Sequence, residues 1–409
     1  MLQLQNLHMN RRLFLRGAAV ALAGFGSAPA WLARAASEPG ARKKVLVVIF
    51  QRGAADGLNI VVPFAEKRYY ELRPTINVPM PGAQNNAGAL DLDGHFGLHP
   101  ALQPLKALWD RNQLAIIEAT GSPDPSRSHF DAQDHMESGT PGKTGDGWMN
   151  RALPPQASGT AAPLRAIAVG AQLPRTLRGD RPAVALNDLQ SFNAGNADLL
   201  ESLYAASPDA QLASAGKDAF AAMKMIQAIN KATYTPAGGA QYGPAGPLGR
   251  SLQQIARLIK ADAGVEAAFA EMGGWDHHGQ EPGQLANQLR QFGAALAAFA
   301  QDMGDRMEDV VVVTMSEFGR TAQENGNQGT DHGHGSLMFA LGGPIAGGKV
   351  YGNWPGLEAE RLYENRDLAV TTDYRAVLSE LVAGHLGQQD VARVFPGFTA
   401  PAPLGLLKG

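Results

Sequence analysis

Val310-Val311-Val312-Val313-Thr314-Met315, entered through Asp309, is a continuous apolar and β-branched run, and Lys44-Val45-Leu46-Val47-Val48-Ile49-Phe50 is another. Such stretches leave no polar face for water, so they read as central strands covered on both sides. Leu114 to Ala119, Val265 to Met272 and Leu337 to Leu341 add further strands. Helical patterns fill the gaps. One lies near 100–111. A second covers 281–305, where Leu285, Leu289, Phe292, Leu296, Phe299 and Met303 recur at three-to-four spacing. A third covers 373–386, with Asp373 as its N-cap. Strands alternating with helices predict an α/β fold, a mostly parallel sheet with helices on both faces. Residues 150–250 are poorer in strand signals and carry Gly/Pro-rich stretches at 154–163 and 235–248. They read as a largely helical insertion within a single domain spanning 36–409.

Residues 1–35 have a different character. Asn10-Arg11-Arg12-Leu13-Phe14-Leu15-Arg16 precedes a short apolar run from Gly17 to Ala30, and Ala33-Arg34-Ala35 closes it. A basic start, a short apolar stretch and an A-x-A site describe a secretory signal, and the paired arginines resemble the twin-arginine class. The plainer alternative is a short membrane anchor. The run is too short for ~30 Å of hydrocarbon and is interrupted by Gly24, Gly26 and Pro29. The twin-arginine export machinery is therefore the expected partner, with no stable anchor after cleavage and a periplasmic or secreted destination. The segment holds four arginines and no acid, so its removal takes the formal charge from −3 to −7. An acidic surface argues against nucleic-acid binding, which needs basic groups to neutralise phosphates.

The chain has no cysteine, which excludes disulfides, thiolate metal sites, iron–sulfur clusters and a cysteine nucleophile. Any metal must rest on His, Asp and Glu. In an open parallel sheet, ligands bind beyond the carboxyl ends of the strands. Asp56 follows the first strand, Asp276, His277 and His278 follow the third, and Ser316 and Glu317 follow the strongest. Asp331-His332-Gly333-His334 lies just ahead of the next. Six of the ten histidines fall in four short stretches, with His129 and His135 completing the set. Taken singly, Asp56 reads as a cap or turn residue and His-x-His as a hydrogen-bonded loop pair. Together, carboxylates and imidazoles on one rim suit Zn²⁺ or Mn²⁺, as one ion or two.

Several blocks in order carry a resemblance: Gln51-Arg52-Gly53-Ala54-Ala55-Asp56-Gly57-Leu58-Asn59, Phe96-Gly97-Leu98-His99-Pro100, Ser126-Arg127-Ser128-His129-Phe130, Gly274-Trp275-Asp276-His277-His278, Ser316-Glu317-Phe318-Gly319-Arg320-Thr321 and Gly329-Thr330-Asp331-His332-Gly333. The chain resembles the exported bacterial proteins of the DUF1501 family, which are similar to the alkaline phosphatase/sulfatase superfamily. The resemblance implies an alkaline-phosphatase-like fold in which Asp56 serves the position between two metals and Asp276, His278 and His332 form the first site. The second site of that superfamily takes an Asp-His pair after a strand. Here Ser316-Glu317 stands there, leaving Glu317 as ligand, with Asp331 or His334 to make up the count.

The superfamily places its nucleophile at a helix start. Pro123-Asp124-Pro125-Ser126-Arg127-Ser128-His129 matches such a start, with Asp124 as N-cap and Pro125 at the first helical position. Proline stands where the sulfatase signature has its convertible residue. Ser126 and Ser128 remain as hydroxyl candidates, and equally as residues that only satisfy the helix start. Arg127 reads as a bidentate clamp for an ester's oxygens or as an exposed helix arginine.

Two functions follow. The first is an exported metal-dependent hydrolase acting on a small-molecule phosphate or sulfate ester. The second is a catalytically degenerate periplasmic binding or assembly protein with a structural metal.

Overall fold

The computed structural model describes residues 42–142, 144–155, 162–190, 201, 202, 204 and 206–409, without the side chains of 210–215. The expected export signal, 1–35, lies outside the described residues. The chain divides into two compact units, one of 1–41 with 186–233, the other of 42–185 with 234–409.

The larger unit is a mixed α/β body built on a mostly parallel sheet. Its strands include β1 (Val45–Gln51), β2 (Leu114–Gly121), β3 (Ala166–Val169), β4 (Ala267–Met272), β5 (Val310–Ser316), β6 (Ser336–Gly342), β7 (Lys349–Tyr351) and β8 (Thr372–Asp373). Across the sheet they run β7-β2-β6-β5-β1-β4-β3, and β8 also pairs with β2. β1 is parallel to β4 and β5, and β3 is parallel to β4. β6 is antiparallel to both β5 and β2, so those two run the same way. β7 and β8 are parallel to β2. Of these strands, β6 alone opposes the rest, and that puts its beginning at the edge where its neighbours end. Gln51 of β1 lies opposite both Met272 and Ser316. Three strands thus finish level. The segment before β6 arrives at the same rim.

The apolar runs explain the layering. Leu46, Val48 and Phe50 of β1 share one buried cluster with Val311, Val313, Met338 and Ala340. Tyr374, Val377, Leu378 and Leu381 of helix α6 (Tyr374–Gly384) close over it. Helix α5 (Glu281–Met303) takes another side of β6, with the Phe292 and Phe339 rings 6.1 Å apart. As expected, Asp373 caps α6, accepting from the Arg375 N–H. Helices α1 (Gln103–Asp110) and α4 (Gly246–Lys260) also flank this unit. Inside the 150–250 stretch read as helical insertion, β3 is a member of the sheet.

In the smaller unit the main element is α3 (Ala210–Asn230). Tyr204 packs edge-on against Phe220 at 6.1 Å, and Lys224 pairs with Glu201 at 2.6 Å.

One helix begins later than expected. α2 (His129–Ser138) is capped by Ser128, whose hydroxyl accepts from the Asp131 N–H. Asp124 is not the cap. Ser122, Asp124 and Ser126 each accept the N–H two residues on. Such local turns compete with helix and keep the chain open until 128. His129 therefore becomes the first helical residue.

Candidate metal centre

Five segments meet at the carboxyl rim of the sheet, and local geometry holds them close. Gly53, with φ +118, lies where a Cβ would stand 2.7 Å from the Asp276 N and 2.9 Å from the Trp275 N. Only glycine lets the loop after β1 approach the loop after β4 so closely. Arg320 and His332 form an antiparallel bridge, which ties the loop after β5 to the segment before β6.

The His332 imidazole points its Nε2 atom at the Nε2 atoms of both His129 and His278. His332 Nε2 is 3.1 Å from His129 Nε2 and 3.0 Å from His278 Nε2. Asp276 joins them, with Oδ1 3.0 Å from His278 Nε2 and 3.2 Å from His332 Nε2, and Oδ2 3.5 Å from His129 Nε2. On the far side of each ring, Nδ1 faces an oxygen. His129 meets Glu317 Oε1 at 2.8 Å, His278 meets Asp331 Oδ1 at 3.0 Å, and His332 meets the Arg127 carbonyl at 2.9 Å. Phe318 packs beside two of the rings, 5.0 Å from His129 and 5.1 Å from His332.

These outer partners assign the tautomers. A carbonyl cannot donate, so His332 must carry its proton on Nδ1. Burial pushes the Glu317 carboxyl up, but the bonds from His129, Gln133 and the Gly53 N–H outweigh it, and the group stays below its ordinary value. Asp331 behaves alike: burial raises it, and His278 and Asn325 bring it below the usual carboxylate range. Both are thus acceptors, and the rings facing them donate from Nδ1. The Nε2 lone pairs of His129 and His278 then each face that of His332 and the Asp276 carboxylate. Burial raises Asp276 as well, and Arg320 at 2.5 Å outweighs it, so that oxygen is also anionic. Lone pairs so arranged repel unless a proton or a metal ion lies between them.

The donor set fits a metal. Two imidazole nitrogens and a carboxylate oxygen around zinc at about 2.0–2.1 Å would stand about 3.3–3.4 Å apart at three corners of a tetrahedron. The separations among His129, His332 and Asp276, 3.1–3.5 Å, bracket that value, and His278 Nε2 adjoins His332 and Asp276 at 3.0 Å. An Nδ1 acceptor behind every ring is the usual support of a metal-binding histidine.

The family model described as a protein of unknown function, DUF1501, matches residues 112–394. The chain belongs to the DUF1501 family. No curated protein matches it. Solved structures similar to this DUF1501 chain include an alkaline phosphatase superfamily protein from Vibrio parahaemolyticus, with 11% identity and a TM-score of 0.29 over 74% of this chain and 60% of that one. The lipoteichoic acid synthase LtaP from Listeria monocytogenes gives 10% identity and a TM-score of 0.31, over 81% and 70%. The alkaline phosphatase of the Antarctic bacterium TAB5 gives 11% identity and 0.28, over 74% and 91%. The DUF1501 chain thus spans three-fifths of the length of the Vibrio protein.

The sequence-derived candidates occupy different places around this centre. Asp276, His278 and His332 come together in it. Asp331 and Glu317 stand behind His278 and His129 as the partners of their Nδ1 atoms. Asp56 is buried with both oxygens held by Arg73, at 2.5 and 2.8 Å. His334 is stacked on Tyr363 instead, ring centroids 4.2 Å apart. Ser126 and Ser128 accept backbone N–H groups in the turns before α2. Arg127 gives its guanidinium to Asp367 and Glu364, and its carbonyl to His332.

Among the described residues, His129, Asp276 and His332 form a group whose ligand atoms all lie within 4.8 Å of one another. Sequence reasoning in this DUF1501 chain counted His129 among the rim histidines without assigning it as a ligand. The signal was present, since His129 directly follows the serines singled out as nucleophile candidates.

Proposed function

We propose that this chain is an exported, metal-dependent hydrolase of phosphate or sulfate esters. One observation carries the reading: the Nε2 atoms of His129 and His332 and the Asp276 carboxylate lie 3.1–3.5 Å from one another, His278 Nε2 adjoins His332 and Asp276, and every ring is held from behind by an oxygen acceptor. When bound, a divalent ion, zinc or manganese by the chemistry of these donors, supplies Lewis acidity to a phosphoryl or sulfuryl oxygen.

The chain's own residues supply the rest. His129, His332 and Asp276 bind the ion, with His278 beside them. Glu317, Asp331 and the Arg127 carbonyl keep the protons of the three rings on Nδ1, away from it. Phe318 fixes the tilt of His129 and His332. Arg11-Arg12 with the apolar run behind them supports export. No helix among the described residues is long and apolar enough to cross a membrane.

A second reading, a binding or assembly protein with a structural metal, is favoured by the arrangement around α2. Ser126 and Ser128 are engaged in turns, and Arg127 is paired with two carboxylates.

Turnover of p-nitrophenyl phosphate, bis(p-nitrophenyl) phosphate and p-nitrophenyl sulfate by the Mn²⁺- or Zn²⁺-loaded full chain tests the proposal. At least one is hydrolysed, and His332→Ala and Asp276→Asn abolish that turnover. Protein that holds metal and hydrolyses none of the three supports the second reading.

A further inference from the structure

Arg320 is a buried cation in a cage of oxygens. Its Nε donates to the Ala54 carbonyl at 2.7 Å and Nη1 to the Thr330 carbonyl at 3.1 Å. Nη2 reaches the Gly53 carbonyl at 2.5 Å, the Trp275 carbonyl at 3.1 Å and Asp276 Oδ1 at 2.5 Å. The side chain is 2% exposed. Four carbonyls and a carboxylate are the oxygen set that a hard metal ion would use. Here a guanidinium fills it.

Asp276 links the cage to the imidazole cluster, because the oxygen that accepts from Arg320 also stands 3.0 Å from His278 Nε2 and 3.2 Å from His332 Nε2. The other carboxylates of the rim are engaged elsewhere. Both oxygens of Asp56 are held by Arg73, which is itself fully buried. Glu317 Oε1 accepts from the Gly53 N–H, His129 Nδ1 and Gln133 Nε2 within 2.8–2.9 Å. Ser316, beside it, donates to the Gln51 carbonyl and accepts from the Ala55 N–H. A second ion needs a second group of free donors; among the described residues of the rim, Asp56 and Glu317 are satisfied by guanidinium and N–H groups, and Asp331 by His278 Nδ1 and the Asn325 amide.

We infer that the centre takes one divalent ion per chain, and that Arg320, sharing the Asp276 carboxylate with that ion, is its fixed second positive charge. This deepens the proposed function and rests on it. The protein thereby places two cations at the rim while binding a single metal. Arg320 does not touch the substrate in this arrangement; it is a positioning and charge-setting residue acting through Asp276.

Metal stoichiometry of the full chain, by elemental analysis and by calorimetric titration with Mn²⁺ and Zn²⁺, tests this without recourse to turnover. One equivalent per chain is the expected result. Two equivalents of comparable affinity overturn the inference and leave the metal-centre reading standing. No bound ion overturns the metal-centre reading, and the inference with it.

The charge role of Arg320 has its own readout in Arg320→Met. Two cations on one carboxylate repel, so removing the guanidinium tightens Mn²⁺ binding by roughly tenfold or more. A role confined to holding the loops predicts weaker binding, because Asp276 would lose its anchor, and weaker binding in folded protein overturns the charge role. Where that variant fails to fold, the stoichiometry of the unaltered chain decides.

Discussion

His129 Nδ1 lies 2.8 Å from Glu317 Oε1, and this bond turns the opposite ring nitrogen toward His332 and Asp276. Glu317 is 1% exposed, at the end of β5, and His129 opens α2. A strand and a helix start distant in sequence are thus locked together by a charge-assisted hydrogen bond.

Glu317→Gln should therefore weaken metal binding without removing a ligand. The amide retains an acceptor oxygen but loses the charge that favours the Nδ1–H tautomer. Loss of such an outer partner typically lowers metal affinity 10–100-fold. Calorimetric titration with Zn²⁺ measures it. An unchanged affinity would show that the His129 orientation does not depend on Glu317.

Metal affinity should fall with acidification. The bond from Glu317 raises the His129 imidazole above its ordinary value, outweighing burial, which lowers it. In metal-free protein His129 thus holds its second proton past the usual imidazole value of about 6.5. The stabilisation from that charged pair is complete below about 6.5 and is lost as pH rises through the raised value. A metal must displace the same proton. The rise in Tm caused by Mn²⁺ is consequently expected to be larger at pH 8 than at pH 6. Equal shifts at the two pH values would contradict the assignment.

The Arg73–Asp56 pair should matter for folding more than for metal binding. Both side chains are essentially inaccessible, at 0% and 2%. Burial pushes Asp56 up, but Arg73 more than compensates and holds its carboxyl below the ordinary value. Arg73→Met leaves a buried carboxylate uncompensated and should cost roughly 3–5 kcal/mol in urea unfolding. Asp56→Asn combined with Arg73→Met should recover part of that loss, with metal stoichiometry unchanged. A metal-binding role for Asp56 predicts instead that Asp56→Asn alone lowers the stoichiometry.

Charge balance bears on the ester. Asp276, Glu317 and Asp331 are anionic and Arg320 cationic. One divalent ion cancels the remaining two negative charges, leaving no surplus to hold a dianion. Singly charged esters should then be preferred, so that kcat/KM for bis(p-nitrophenyl) phosphate or p-nitrophenyl sulfate exceeds that for p-nitrophenyl phosphate at pH 8. A tenfold preference for the monoester would argue for a more positive centre.

Much of the scaffold is legible along the chain because burial is periodic. Val310 to Met315 and Val45 to Phe50 have no side to offer water, and they form adjacent central strands. Leu285, Leu289, Phe292, Leu296 and Phe299 mark the buried face of α5. Strand ends then place Asp276, His278 and His332 on one rim, where they meet. The roles of the remaining groups depend on contacts made at 2.5–3.5 Å between loops. His129 and His332 are 203 positions apart, and Arg320 is 266 from the Ala54 carbonyl it holds. No pattern of neighbours encodes which nitrogen of a ring faces a carboxylate, or that Arg73 will take both oxygens of Asp56. The sequence by itself determined the sheet, its covering helices and the rim, since hydrophobic burial acts on every second or every third and fourth residue. Only the tertiary structure decided which polar groups gather at the rim, which stand behind them and which are neutralised, since hydrogen bonds and ion pairs are settled by distance in space.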